Sequence, residues 1–375
     1  MKRVLFCAGD VGGARAVLAV ALAHANLGQP LVLLDHGPLA AEAPLDWPRI
    51  SPECLSQVAP GDTADILSGL EIGAIAFGSS VADPLPLAFV RKAQIAGLPL
   101  LHVLDHWTAY RRRMETDGGP ALAPERYAVM DELAAVGVMA AGIAPASVVL
   151  TGQPALADLG AEAAACDIQA RMAFRSYLGV SGHRRLLVFV SEPVAADQGD
   201  SLSPIFRGYT EADVLELLCQ ILKPYVADLF LVILPHPRED PTAVAWRWEY
   251  CRGTLAGTVV QLPWGRQAVL VADAVAGMAS ILLYEAWCLG LPVFSLQPSL
   301  CDPNLRLFLD RPGVTLVEDA TTAAAVIWSV VIAGSCSGPR PDLARHAAAP
   351  ALLVEILAGL AYNTNMRTAN GIGVG

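Results

Sequence analysis

The stretch from 271 to 298, VADAVAGMASILLYEAWCLGLPVFSLQP, constrains the fold of this chain more than any other. Residues 270–274 are apolar apart from one acid, and residues 291–296 are apolar except for a serine, the pattern of buried parallel strands. Between them, small residues over 277–280 predict a turn, and residues 281–289 predict a buried helix. Strand, turn, helix and strand in this order predict a parallel α/β sheet.

A single acidic residue, Glu285, lies in this otherwise apolar helix. A buried carboxylate is costly unless something pairs with it. The turn before the helix offers free backbone N–H groups and the positive end of the helix dipole, which favour an anion. A phosphate at the turn and a ribose diol at Glu285 would satisfy both features. The alternative is an ordinary strand–helix–strand unit in which Glu285 reaches solvent.

The predicted nucleotide site therefore includes Glu285 and four turn residues, of which the last is also a plausible helix N-cap. These turn residues are Gly277, Met278, Ala279 and Ser280.

The composition of the chain suits a larger α/β protein. It has 375 residues, too many for one typical core and enough for two domains. Hydrophobic residues make up 54% and charged residues 16%, which favours large, well-buried parallel sheets. The net charge of −11 argues against general nucleic-acid binding, because the chain lacks the positive charge that phosphate backbones attract.

The cysteines and the N-terminus indicate a cytoplasmic protein. None of the eight cysteines lies in a CxxC pair, so they are expected to be reduced thiols, several of them buried. The N-terminal basic and apolar residues mimic a signal peptide, but Asp10, three glycines and Arg15 interrupt the apolar region. The longest uncharged stretch, 133–157, contains Gly and Pro throughout, so we expect no transmembrane segment.

The first half of the chain begins with a strand over 3–7, a glycine turn and a helix over 14–25. The turn contains Gly9, Gly12 and Gly13, and its spacing matches neither the dinucleotide fingerprint nor the P-loop. Two interpretations stay open: the turn faces a ligand, or it only lets the strand and the helix pack closely.

Asp105 and His106 follow a predicted strand over 98–104. Active sites of open α/β sheets lie at the carboxyl ends of strands, so these residues are candidates for a base and a proton carrier, with Asp10 as a further candidate base. The alternative is a helix-capping Asp with a structural His. The arginines over 111–113 can bind an acidic acceptor or a lipid headgroup, but a solvated helix face is the preferred interpretation.

Strand–helix alternation restarts at Arg185, which predicts a second domain. The predicted organisation has an N-terminal domain over 1–160, linker helices over 161–184 and a C-terminal domain over 185–340. A C-terminal helix over 341–361 and a disordered tail over 362–375 complete it.

The order of His236-Pro237, Ser280 and Glu285 resembles the donor-binding motifs of GT-B glycosyltransferases. In that superfamily a strand ending in His-Pro contributes its imidazole to the donor phosphates. A small-residue turn is then followed by a helix carrying Glu-Ala and by Gly-x-Pro. A strand ending in Thr-Gly-x-Pro, here at 151–154, commonly closes the N-terminal domain. The acidic motifs of particular sialyltransferase families are not clear in this chain.

This resemblance implies two Rossmann-like α/β domains facing across a cleft, with the last helix a candidate to cross back to the first domain. It implies donor binding by His236, Arg238, Glu285 and the turn over 277–280, and an acceptor-side loop over 9–13. The implied activity is transfer of a sugar, or a related polyol or acidic sugar, from a nucleotide-activated donor to an unknown acceptor such as a glycan or a lipid-linked molecule.

Neither a metal nor another cofactor is expected, since the sequence has no Asp-x-Asp motif. A protonated histidine, an arginine and a helix N-terminus can stabilise a departing phosphate without one.

Two alternatives remain open. UDP-N-acetylglucosamine 2-epimerases share this two-domain fold and bind a nucleotide at the second domain, usually with a more acidic serine-glycine turn than the one at 277–280. The other alternative is a non-catalytic GT-B-like protein that binds a nucleotide, a glycan or a partner.

Overall fold

The computed structural model describes residues 2–56, 60–80, 83–115, 121–261, 265–302, 306, 311–319 and 338–370. The chain divides into two units. The first unit comprises Met1–Asp158 and Asp342–Gly375, and the second comprises Leu159–Pro341.

The first unit is built on a seven-stranded parallel sheet of order β3-β2-β1-β4-β5-β6-β7. Its strands are β1 (Arg3–Cys7), β2 (Leu31–Leu34), β3 (Arg49–Ile50), β4 (Ile72–Phe77), β5 (Leu100–Val103), β6 (Arg126–Val129) and β7 (Val148–Leu150). Its helices are α1 (Val11–Asn26), α2 (Gly37–Glu42), α3 (Glu53–Ser56), α4 (Pro60–Gly69), α5 (Leu85–Ile95), α6 (Glu132–Ala140) and, at the C-terminus, α14 (Asp342–Asn370). The central strand β4 is apolar along its whole length, and β5 is apolar apart from the buried His102, because helices cover both faces of a parallel sheet.

The C-terminal helix α14 belongs to the first unit, as the fold resemblance implied. Leu353, Val354 and Leu357 are buried in the core that α1 also forms. By length and composition alone, Asp342–Tyr362 could cross a membrane, a property that a buried core helix shares. The helix continues to Asn370, so the predicted disordered tail over 362–375 is helical where it begins; residues 371–375 lie outside the described part.

The second unit is built on a six-stranded parallel sheet of order β10-β9-β8-β11-β12-β13. Its strands are β8 (Arg185–Val190), β9 (Leu229–Leu234), β10 (Ala256–Val259), β11 (Ala274–Gly277), β12 (Val293–Leu296) and β13 (Val314–Val317). Its described helices include α7 (Leu159–Ala165), α8 (Ile168–Tyr177), α9 (Val194–Gln198), α10 (Glu211–Leu222), α11 (Pro241–Cys251), α12 (Gly265–Val271) and α13 (Ile281–Cys288).

The helices predicted as a linker, α7 and α8, are part of this second unit. Arg171 and Arg175 on α8 donate to the backbone carbonyls of Leu270 and Val271. These bonds attach α8 to the end of α12, so the helix does not act as a free connector.

The strand predicted over 270–274 was placed too early. Residues 265–271 form α12, and the strand is β11, composed of small residues. Limited space beside β8 explains the glycine at the end of this strand, since a Cβ at Gly277 would lie 2.8 Å from the carbonyl oxygen of Val190. Helix α13 follows as predicted, with Ser280 as its N-cap. The helix predicted over 319–332 lies, beyond residue 319, outside the described residues.

Each sheet changes direction of winding at its first strand. β1 has β2 on one side and β4 on the other, and β8 has β9 on one side and β11 on the other. Ligands of open α/β sheets bind beyond the carboxyl ends of the strands at such switch points. The candidate sites are therefore the segments after β1 and β4 in the first unit and after β8 and β11 in the second, with the segment after β9 next to that of β8.

Candidate functional site

A pocket of about 100 Å³ lies at the carboxyl edge of the second sheet. Its walls come from the segments that follow β8 and β9 and from one residue of the loop before α10. The lining residues are Glu192, Pro193, Val194, Asp197, Gln198, Arg207, His236 and Arg238.

Arg207 gives this pocket a buried positive charge. The residue is only 8% exposed, and its guanidinium carbon lies 5.5 Å from the centre of the Tyr209 ring. Its Nε and Nη2 atoms have no hydrogen-bond partner among the described residues. Burying N–H groups without a hydrogen-bond partner is costly, so this arrangement suits an anionic ligand that bonds these two atoms.

His236 is oriented by the loop that carries it. Its backbone N–H donates to Glu239 over 2.7 Å, and its Nδ1 lies 3.2 Å from the backbone N–H of Arg238, which donates to it. A neutral imidazole that accepts at Nδ1 carries its proton on Nε2. Burial first, and then the charge of Arg238, lower the pKa of His236. The free protein therefore favours a neutral imidazole that donates through Nε2, rather than the protonated one expected from sequence.

Arg238 also lines the pocket, but its guanidinium is already paired. It donates to both carboxylate oxygens of Asp197, over 2.5 and 2.6 Å. The hydrogen bonds from Arg238 lower the pKa of Asp197. Because both side chains are well exposed, the pair adds little stability and a ligand can compete for it.

The N-terminal turn of α13 is bonded to a carboxylate of the protein itself. The backbone N–H of Ala279 donates to Glu192, the second residue after β8. Burial raises the pKa of Glu192, and the nearby charge of Arg207 opposes that shift. The backbone amide of Ala279, predicted to bind a phosphate, is therefore bonded to Glu192 instead. The turn contacts the pocket through Glu192 and does not line it.

His236 and the turn over 277–280 do not follow neighbouring strands. β8 lies between β9 and β11, which places Glu192 between the two predicted parts of the site. Met278 is fully buried in the core of the second unit, so its side chain is a packing residue and not a ligand contact.

Glu285 has a protein partner. It is 4% exposed, and both of its carboxylate oxygens accept from Arg266 on α12, over 2.7 and 3.1 Å. Arg266 also lies 3.4 Å from Glu162 on α7. Glu285 does not line the pocket. Glu285, which was predicted to bind a ribose, is therefore one half of an ion pair that joins α12 to α13 in this structure.

Of the eight residues that line the pocket, the sequence interpretation named only His236 and Arg238, and it missed Arg207 and Glu192 among the other six. Glu192 follows a buried strand, just as His236 does, and that position was the available signal. Arg207 lies in a loop with no motif around it, and its burial could not be predicted from its neighbours.

In the first unit, the glycine turn after β1 is covered by carboxylates. Asp10 caps α1 by accepting from the backbone N–H of Gly13 over 2.8 Å. A Cβ at Gly12 would collide with Asp105, and a Cβ at Gly9 would collide with Asp83. These glycines admit side chains from the segments after β4 and β5, so the structure brings the predicted Asp10, Asp105 and glycine turn together.

Asp105 is held by a buried arginine. Arg113 donates to Asp105 over 2.7 Å and to the backbone carbonyls of Ser79 and Thr108 over 2.9 and 3.0 Å. Burial raises the pKa of Asp105 and Arg113 opposes the shift, while burial and then the charge of Asp105 raise the pKa of Asp10. Two interacting carboxylates of this kind are a common setting for acid–base chemistry.

Two histidines of the first unit have different hydrogen-bond partners. His106 bonds through Nδ1 to Thr108 over 3.0 Å. His36, which follows β2, bonds through Nε2 to Asp83 over 2.6 Å, and each side chain is about a quarter exposed. A carboxylate that orients an imidazole in this way is a recurrent element of general-base catalysis. The sequence interpretation missed this pair because its members are 47 positions apart.

Within the described residues, no group of three or more His, Cys, Asp or Glu side chains is arranged to hold a metal ion.

Several solved structures share the fold of the whole chain. UDP-GlcNAc 2-epimerase from Neisseria meningitidis, bound to UDP-GlcNAc, superposes with a TM-score of 0.63 at 12% identity, over 95% of this chain and 100% of that one. HepE from Anabaena, in complex with UDP-glucose, gives 0.58 at 12% identity, over 99% and 100%. The wall teichoic acid polymerase TagF gives 0.56 at 8% identity, over 96% and 89%. No protein-family model matches the chain, and comparison with curated proteins gives no match.

Proposed function

Because this chain has the GT-B fold, we propose that it is an enzyme that acts on a nucleotide sugar and binds the nucleotide phosphates in the pocket of its second unit. The observation that carries this proposal is Arg207, buried in the pocket wall with two unpartnered nitrogen atoms. Phosphate oxygens match a guanidinium in charge and geometry. His236 adds a neutral donor at Nε2, and Arg238 is available if a ligand displaces Asp197.

The reaction we propose is metal-independent transfer of a sugar, or a related polyol or acidic sugar, to an acceptor such as a glycan or a lipid-linked molecule. Cleavage of the donor bond leaves negative charge on the departing phosphate, which Arg207 and His236 would stabilise. We assign the base that activates the acceptor hydroxyl to the first unit. Asp105, Asp10 and His106 are the candidates from sequence, and the structure adds His36.

A UDP-GlcNAc 2-epimerase reaction is the second candidate, favoured by the similarity to the Neisseria meningitidis epimerase. Product analysis separates the two. A transferase releases free nucleotide in the presence of an acceptor. An epimerase changes the configuration of the sugar, which stays attached to the nucleotide. A non-catalytic protein binds the nucleotide and converts nothing.

Nucleotides are expected to stabilise the protein against heat. A ligand at 100 times its dissociation constant adds about 2.7 kcal/mol to the free energy of unfolding. We expect this shift in thermal denaturation with at least one of the UDP, GDP, CDP, CMP and ADP forms, and none with the matching nucleoside. An equal response to nucleoside and nucleotide would contradict phosphate binding.

Replacing Arg207 by methionine is expected to weaken nucleotide binding by about 10- to 150-fold, since a charge-assisted hydrogen bond contributes about 1.5–3 kcal/mol. The free protein should change little in stability, because the substitution removes a buried charge that has unpartnered atoms but also removes the charge that favours the Glu192 carboxylate. Isothermal titration calorimetry measures the affinity and thermal denaturation measures the stability.

Two controls sharpen this test. Arg207→Lys keeps the charge but loses the planar fork, and should bind with intermediate affinity. Arg238→Ala removes an exposed arginine of the same pocket and should have the smaller effect. Unchanged affinity in Arg207→Met would remove the phosphate assignment.

A further inference from the structure

Two thiols of the second unit lie in direct contact. The Sγ atoms of Cys219 on α10 and Cys251, the last residue of α11, are 3.1 Å apart. The two helices pack side by side, and the residues are 32 positions apart in the chain. Cys219 is buried at 1% exposure, whereas Cys251 is partly buried, so Cys251 is the more accessible residue of the pair.

The two thiols differ in accessibility and in the direction of their pKa shifts. The two thiols are hydrogen-bonded to each other, and this hydrogen bond is the largest cause that lowers the pKa of Cys251. The thiolate is the nucleophilic form of cysteine, and solvent exposure admits an oxidant to it. A disulfide has an S–S length of about 2.05 Å, so the two sulfur atoms need to approach by only about 1 Å.

We propose that Cys219 and Cys251 form a reversible disulfide when the protein meets a peroxide. The Cys251 thiolate attacks one oxygen of hydrogen peroxide; an S–O bond forms, the O–O bond breaks, and hydroxide leaves and is protonated to water. The sulfur of Cys219 then attacks the Cys251 sulfenic acid. The S–S bond forms, the S–O bond breaks, and hydroxide leaves with the Cys219 proton as a second water. Two thiols thus pass two electrons to one peroxide.

The cross-link would join two helices next to the pocket without involving the residues that line it. Glu211, the first residue of α10, accepts from the backbone N–H of Ala195 on α9 over 2.8 Å and lies 3.7 Å from Arg247 on α11. The loop that carries His236 leads directly into α11. A disulfide between α10 and α11 therefore adds a covalent bond to helices that already hold both sides of the pocket. This site is independent of the proposed reaction.

The test uses the full-length native protein with hydrogen peroxide as the oxidant. After brief exposure, remaining thiols are blocked with N-ethylmaleimide and the unreduced protein is digested with trypsin. We expect one dominant linked product, joining the peptide 208–238 to the peptide 248–252, and its disappearance after dithiothreitol. The oxidised protein should melt several degrees higher, because the cross-link restricts the unfolded chain.

Variants separate this pair from the other cysteines. Cys251→Ser should lose the linked product completely, and Cys219→Ser should instead leave a sulfenic acid on Cys251 that dimedone traps. Cys301→Ser removes an exposed thiol and should leave the cross-link unchanged. The proposal is overturned if Cys54 or Cys301 is oxidised while Cys219 and Cys251 remain free thiols, or if the linked product forms only after denaturation.

Discussion

Replacing Glu285 by alanine is expected to lower the free energy of unfolding by about 3 kcal/mol, at the low end of the range for breaking a buried ion pair. The loss arises at Arg266, which would keep its charge in a largely buried position after losing both bonds from its guanidinium to Glu285. The low end applies because a quarter of the Arg266 side chain is exposed and Glu162 stays within 3.4 Å. Denaturant unfolding of the purified variant measures the change.

The same variant separates two roles for Glu285. A ribose ligand at this position predicts weaker nucleotide binding with nearly unchanged stability, whereas an ion-pair partner predicts the reverse. Glu285→Gln keeps the shape and one acceptor oxygen, so its loss should be smaller. The double replacement of Arg266 by Met and Glu285 by Leu removes both charges and should recover much of the stability. A stable Glu285→Ala protein with weakened binding would restore the ribose assignment.

Parallel strands could be predicted where they form largely apolar segments of the sequence. β1 has the bounds expected from sequence, since a strand buried on both faces leaves few positions for polar residues. β11 was misplaced for the opposite reason. Its bulk is limited by the close approach of Val190, and an Ala- and Gly-containing strand resembles a turn.

The candidate sites could be predicted only where a residue is marked by its own strand. His236 and Asp105 each follow a strand, and the structure places His236 in the pocket wall and Asp105 on the glycine turn. The order of strands in a sheet cannot be inferred from local sequence. The position of β8 between β9 and β11, which places Glu192 between the segments after them, could therefore not be predicted. The same limit hid Arg266, whose bond to Glu285 depends on how α12 packs against α13.

The substitution Asp105→Asn is expected to lower turnover of the nucleotide sugar by about 10²–10⁴-fold, the usual contribution of a positioned acid or base. Nucleotide affinity should stay nearly unchanged, because the phosphate pocket is formed by residues of the second unit. Asparagine keeps an oxygen that can accept from Arg113 but removes the charge. Steady-state kinetics and calorimetric titration measure the two quantities separately.

Because Asp105 pairs with the buried Arg113, a loss of stability in Asp105→Asn must be distinguished from a loss of catalysis. Asp105→Asn leaves the Arg113 charge with less compensation, so thermal denaturation has to show that the variant is folded at the assay temperature. The matched control is Asp35→Asn, which removes an exposed carboxylate next to His36 and should turn over normally.

His36→Gln distinguishes His36 from Asp105 among the candidate bases of the first unit. If His36, held by Asp83, accepts the acceptor proton, its removal should lower turnover over the same range, and Asp83→Asn should do so to a smaller extent. A large loss in Asp105→Asn with a normal His36→Gln assigns the proton transfer to Asp105, and the reverse pattern assigns it to His36. Normal turnover in both variants would exclude both residues, because a base that moves a proton in the transition state cannot be removed without slowing the reaction.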